Sequence, residues 1–170
     1  MEQEITTSST KGIVISLVLI VIAMITYFLD INNNSYTQYI SFAVFIIGII
    51  WSVNNYGNQI DHNSTFGNYF AHGFKIAALV TAIMIIYVVV FVYLFPDVKE
   101  KGMEAARKSM QEKGKLSQEQ INQSMEFTKK FFMVFVIAGT LLGYLIFGAI
   151  SALIGAAVTK KNPRPIEFDR

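Results

Sequence analysis

Residues 76–95 read IAALVTAIMIIYVVVFVYLF, twenty positions without a single charge. A helix rising 1.5 Å per residue needs about 20 apolar residues to cross roughly 30 Å of hydrocarbon. The stretch therefore predicts a spanning helix over 70–95, with Ile76–Phe95 as its apolar centre, Lys75 just before it and Pro96 to stop it. Working back towards the start, NNYGNQIDHNSTFGNY (54–69) is rich in Asn and Gly and reads as a loop. Before it, Tyr39–Val53 is the short apolar centre of a second span over 37–54. Tyr36, Tyr39, Trp51 and Tyr56 stand near its two ends, as an aromatic belt requires. DINNNS (30–35) is a tight polar turn, so a span over 12–29, GIVISLVLIVIAMITYFL, pairs with the second in an antiparallel hairpin. That first span exceeds the 7–15 residues of a signal-peptide core, and no small-x-small cleavage site follows it. Working forward, Phe131–Val158 is a fourth span, long enough to tilt, and 159–170 is a polar tail.

Composition agrees with the bilayer. Apolar residues make up 53% and charged ones only 15%, against about 25% in ordinary soluble domains. A net charge of +2 gives no basic field for nucleic acid. With no cysteine, disulfides, thiolate catalysis and Cys-held metals are excluded. The expected fold class is all-α: an integral membrane protein of one domain, 1–170, with four transmembrane helices in two antiparallel hairpins. An extramembrane helical hairpin, 97–130, is expected between helices 3 and 4.

That hairpin reads as helical despite its charge. Asp97 is placed to cap a helix, and Met103, Ala106 and Met110 form one narrow apolar stripe. Gly114 sits where a C-cap glycine belongs, after Lys113. Ser117 and Gln120 have capping-box spacing, and Leu116 and Ile121 are placed as a hydrophobic staple around them. No breaker occurs between Gln118 and Gly139, so one continuous helix from Gln118 to Val158 is expected, with Ile121, Met125 and Phe132 along one side. The stripe Met103, Met110, Ile121 and Met125 has three readings: packing between the hairpin helices, a surface for a partner, or contact with lipid headgroups.

Helices in lipid associate by close packing through small residues. The fourth span offers Gly139 and Gly143 as G-x-x-x-G, with Ser151 and Gly155 further along that row beyond Phe147. A second row is Gly148, Ala152 and Ala156. Against them the third span offers Gly73, Ala77 and Thr81, so spans three and four are expected to touch backbone to backbone; homodimerisation through the G-x-x-x-G face is the alternative.

Candidates for chemistry are few. Asp61, His62 and His72 fall short of the three or four convergent ligands a metal needs. His72 and Lys75 share a helix face at the start of the third span. They read either as an intramembrane polar site or as a histidine beside a lysine that snorkels to the headgroups. No acidic residue lies mid-span, no half-helices appear, and phosphate-loop, G-x-S-x-G and H-E-x-x-H patterns are absent. Neither an enzyme nor a cofactor is expected.

Orientation signals conflict. The termini side carries Lys11, Lys75, Lys160, Lys161, Arg164 and Arg170, and the 96–130 loop carries eight Lys and Arg, which favours a cytoplasmic loop. The first span, flanked by Lys11 and then by no cation, favours cytoplasmic termini.

Three stretches carry a family resemblance. STFGNYFAHGFKIA (64–77) is similar, through Phe66, Gly67, Phe70, Gly73, Phe74 and Lys75, to an F-G-x-x-F-x-x-G-F-K-type entry into a third span. ARKSMQEKGKLSQEQINQSMEFTKKFF (106–132) resembles a charged, Met-bearing run into span four, and the glycine-rich fourth span ends in a basic tail. Together, over nearly the whole chain, they resemble uncharacterised four-span membrane proteins of the Bacteroidota, a domain-of-unknown-function family. The resemblance implies a bacterial inner membrane, cytoplasmic termini and an external hairpin, and no activity. Members carry a more basic second loop, whereas NNYGNQIDHN has no Lys or Arg. The expected function is a non-enzymatic interaction or scaffold component of the cell envelope. Its partners would be membrane lipids and another envelope protein or a second copy. A small transporter or channel component, using His72 and Lys75, is the alternative.

Overall fold

The computed structural model describes residues 6–29, 35–112, 114 and 117–162. It is all-helical over these residues: α1 Ser8–Phe28, α2 Ser35–Gln59, α3 Phe66–Leu94, α4 Asp97–Glu112, α5 Gln118–Lys130 and α6 Phe132–Val158. Four helices, α1, α2, α3 and α6, are long and apolar enough to cross a membrane. The chain divides into two compact units, Met1–Met84 with Leu142–Arg170, and Ile85–Leu141.

In the first unit α1 starts at Ser8 rather than Gly12, because the Thr7 hydroxyl caps it by accepting from Thr10 N at 3.2 Å. The helix α2 runs on to Gln59, so NNYGNQ is helical and the loop shrinks to residues 60–65. Gly57 explains the extension. A Cβ there would lie 2.5 Å from Thr159 Cγ2 and 3.2 Å from His62 Nδ1, so only glycine lets the end of α6 and the loop close on α2. The loop turns through Asp61 and His62, both left-handed at φ 51° and 58°, a region that Asp and His enter more readily than most residues. It is pinned by His62 N donating to Gly57 O at 2.8 Å and Asn162 N donating to His62 O at 2.9 Å.

Small residues set the helix contacts. A Cβ on Gly148 would meet Ala77 Cβ at 2.5 Å, and one on Gly73 would meet Val53 at 2.8 Å and Ala152 Cβ at 2.9 Å. The α3 and α6 backbones therefore meet along Gly73, Ala77, Gly148 and Ala152. Gly155 faces α2 instead, 3.1 Å from Val53 Cβ by the same construction. Gly139 and Gly143 depart from the expected packing: a Cβ on either has nothing within 4 Å, so this pair is not a helix contact among the described residues. The sequence row does not continue as one face. Ser151 is fully buried while Phe147, between it and Gly143, packs on Phe42 with ring centroids 5.1 Å apart.

Four hydroxyls inside the spans are satisfied locally, as a medium without water favours. Ser16, Thr81, Ser151 and Thr159 each donate to the carbonyl four residues back, at 2.8, 2.7, 2.6 and 2.7 Å.

In the second unit the first two residues after α3, Phe95 and Pro96, lead straight into α4. Gly114, at φ +61°, closes its far end as a C-cap glycine, its N–H donating to Gln111 O at 3.1 Å. The capping box is formed: Ser117 N donates to Gln120 Oε1 at 2.9 Å and Gln120 N to Ser117 Oγ at 3.3 Å. Leu116, the other half of the expected staple, and Lys113 lie outside the described residues. The expected unbroken helix from Gln118 to Val158 is interrupted at Phe131, whose φ of −107° and ψ of 18° leave the helical region. Two features lie beside it. Thr128 donates its hydroxyl to Ser124 O at 2.8 Å, a back-bond also made within the unbroken α1, α3 and α6. Phe132 turns inward, 9% exposed, seated where a Cβ on Gly102 would be 3.3 Å from its ring.

Candidate polar site at one end of the spans

Lys11 lies one turn into α1, flanked by Gly12, where a Cβ would stand 2.9 Å from Leu79 Cδ2. That close approach carries the lysine inward. It is 6% exposed, and its Nζ donates to Ser52 O at 3.1 Å. A carbonyl has two lone pairs and so takes a second donor beyond its helical one. Ser52 itself is fully buried, yet its Oγ has no hydrogen-bond partner. Among the described residues it differs in this from Ser16, Thr81, Ser151 and Thr159, as do the hydroxyls of Tyr69 and Tyr87.

Around the corner of the same unit, His72 stacks on Tyr56 with ring centroids 4.0 Å apart and planes 6° from parallel. Tyr56 in turn meets Tyr69 edge-on at 6.1 Å. The buried atoms Tyr69 Oη, His72 Nε2 and His62 Nδ1 also have no partner among the described residues. Buried polar groups left this way cost about 1–3 kcal/mol each. The four lie on α2, α3 and the loop between them; a fifth, Tyr87 Oη, lies further along α3. Of the residues singled out from sequence, then, His72 is half-buried in this cluster and Lys75, three residues on, is exposed on the helix surface.

Beside Lys11, between α1 and α2, lies a half-open cavity of about 170 Å3. Thr6, Thr10, Lys11, Val14, Ile15, Trp51, Ser52 and Asn55 form its wall. Thr6 is held there by Gln59, whose Nε2 donates to Thr6 Oγ1 at 3.0 Å while Thr6 N donates to Gln59 Oε1 at 3.2 Å. Lys11 and Ser52 are the residues sequence reading missed. Lys11 looks like an ordinary flanking cation; its one distinguishing signal is the glycine after it.

In the second unit the methionine stripe lies between α4 and α5. Ile121 is 2% exposed, and Met103, Met110 and Met125 are half-buried. Ile121 is thus covered, and the three methionines are covered in part. Met103 and Met125 do reach the surface, in a shallow groove of about 390 Å3 that they share with Arg107, Asn122, Glu126 and Lys129. Arg107 donates to Asn122 Oδ1 across the pair at 3.1 Å. Met110 and Ile121 are not part of that groove wall. Among the described residues, no three His, Asp or Glu side chains converge as metal ligands do.

No curated protein and no solved structure matches the chain. Over residues 10–161, from the first turns of α1 to just past α6, it matches the protein of unknown function family DUF4199, and the chain belongs to that family.

Proposed function

We propose that this multi-pass protein is a non-enzymatic interaction component of a bacterial cell envelope, and that the α4–α5 pair is the part that meets a partner. The groove of Met103, Arg107, Asn122, Met125, Glu126 and Lys129 carries this reading. Methionine adapts to irregular surfaces, while Arg107 and Lys129 outweigh Glu126 in charge. The groove therefore suits a segment of another envelope protein that brings an apolar side chain and a carboxylate. The pair is closed by its own contacts, so its surface stands ready rather than forming on encounter. In this proposal the protein lies in the inner membrane with its termini in the cytoplasm and the pair outside.

The rival, a small transport component, draws on His72, Tyr69 and Ser52. Lys75, the cation named with His72, is exposed on the helix surface.

The test is affinity purification from native membranes in mild detergent, comparing the natural chain with Arg107→Glu/Lys129→Glu. Both positions are exposed; because Arg107 also bonds Asn122 across the pair, Lys129→Glu alone serves as the variant that leaves the pair's own contacts in place. A partner that co-purifies with the natural chain and falls by about tenfold with the variant supports the proposal. A partner retained equally by both ends it, as does purification of the natural chain alone.

A further inference from the structure

The cleft between α1 and α2 is half-open and pairs a buried cation with an apolar wall. Lys11 has no acidic partner among the described residues, and its Nζ spends one of three N–H donors on Ser52 O. Ser52, in the same wall and fully buried, has an unpartnered hydroxyl. Thr6, Thr10 and Asn55 add donors at the rim, and Trp51, 62% exposed, stands beside them as interfacial tryptophans do. Below them Val14, Val18, Val21 and Ile25, each between 43% and 54% exposed, run down one face of α1 from the cavity. Spacings of four, three and four keep them on that face.

We infer that this cleft holds one anionic phospholipid, its phosphodiester at the rim against the Lys11 ammonium, and one acyl chain along Val14, Val18, Val21 and Ile25. Charge complementarity selects the occupant: one phosphodiester balances one lysine, and a basic pocket between spanning helices is where anionic headgroups bind. Size agrees. About 170 Å3 is below the roughly 300–1,000 Å3 of clefts that engulf drug-sized ligands. Its surface is almost wholly apolar, so it takes the first methylenes of the chain and leaves the phosphodiester at the rim beside Lys11. The leaflet is the one on the side of Thr6 and Asn162, which both reach the α2–α3 loop region.

Native mass spectrometry of the full chain released from nanodiscs tests this. The nanodiscs hold equal amounts of phosphatidylglycerol and phosphatidylcholine. The natural chain should retain one phosphatidylglycerol in preference to phosphatidylcholine. Lys11→Gln should lower that retention by about tenfold, and Lys11→Arg should restore most of it. Val14→Trp leaves the lysine in place and fills the apolar wall; it should also lower retention, which keeps the test valid if Lys11→Gln folds poorly. Equal retention of the two lipids, or no effect of Lys11→Gln and Val14→Trp, would overturn the inference. So would displacement of the lipid by excess inorganic phosphate, since that identifies an anion site with no use for the chain.

Discussion

Gly148 and Gly139 have the same side chain and the same helix, and opposite consequences. A methyl group on Gly148 has to share 2.5 Å with Ala77 Cβ, whereas one on Gly139 meets nothing within 4 Å. Gly148→Ala should destabilise the membrane-embedded protein by about 1–3 kcal/mol through overpacking. Gly139→Ala should change it by no more than about 0.5 kcal/mol. Reversible unfolding in mixed micelles checks both, and equal effects would contradict the packing described for α3 and α6. Sequence alone presents both glycines as small residues at helical spacing and cannot say which face a neighbour covers. The same holds for Lys11. Its place at a span end is plain in the sequence, but the Ser52 carbonyl that receives it lies 41 residues away, and no local pattern brings the two together.

The helices themselves were legible because their cause is local. Long charge-free runs give α1, α3 and α6, and the capping box and C-cap glycine give the ends of α4 and α5. What was not legible came from contact. The extension of α2 to Gln59 depends on Thr159 and His62 closing around Gly57. The interruption at Phe131 depends on Phe132 finding room over Gly102, in a stretch with no glycine or proline to announce it. The capping box at Ser117 provides an element-scale test. Ser117→Ala should cost about 1 kcal/mol of local stability. It should therefore speed amide hydrogen exchange in the first turns of α5 several-fold while leaving α4 nearer its natural rate. No change at residues 118–122 would mean that α5 is held by packing alone.

For the whole molecule, the open question is which side of the membrane each end occupies, and the lack of any cysteine makes it accessible. In the proposed orientation, Ser109→Cys should react with a membrane-impermeant maleimide applied outside intact spheroplasts. Lys160→Cys should react only after permeabilisation. The reverse pattern would place the α4–α5 pair in the cytoplasm and would move its partner there too. The lysine counts of the sequence leave these outcomes balanced, because the termini side and the long connection are both basic and the short loops carry little charge to break the tie.

The backbone bond from Asn162 to His62, and the seat of Thr159 against Gly57, also bear on how the protein is made. Both are contributed by the stretch just after α6, which leaves the ribosome later than the other three spanning helices. Until then Gly73 and Ala77 of α3 have lipid where Ala152 and Gly148 will stand, and the left-handed turn at Asp61–His62 lacks its fastening. Biogenesis therefore has a waiting stage, with three helices inserted and a groove uncovered. A membrane chaperone or insertase has that interval, and that groove, in which to act.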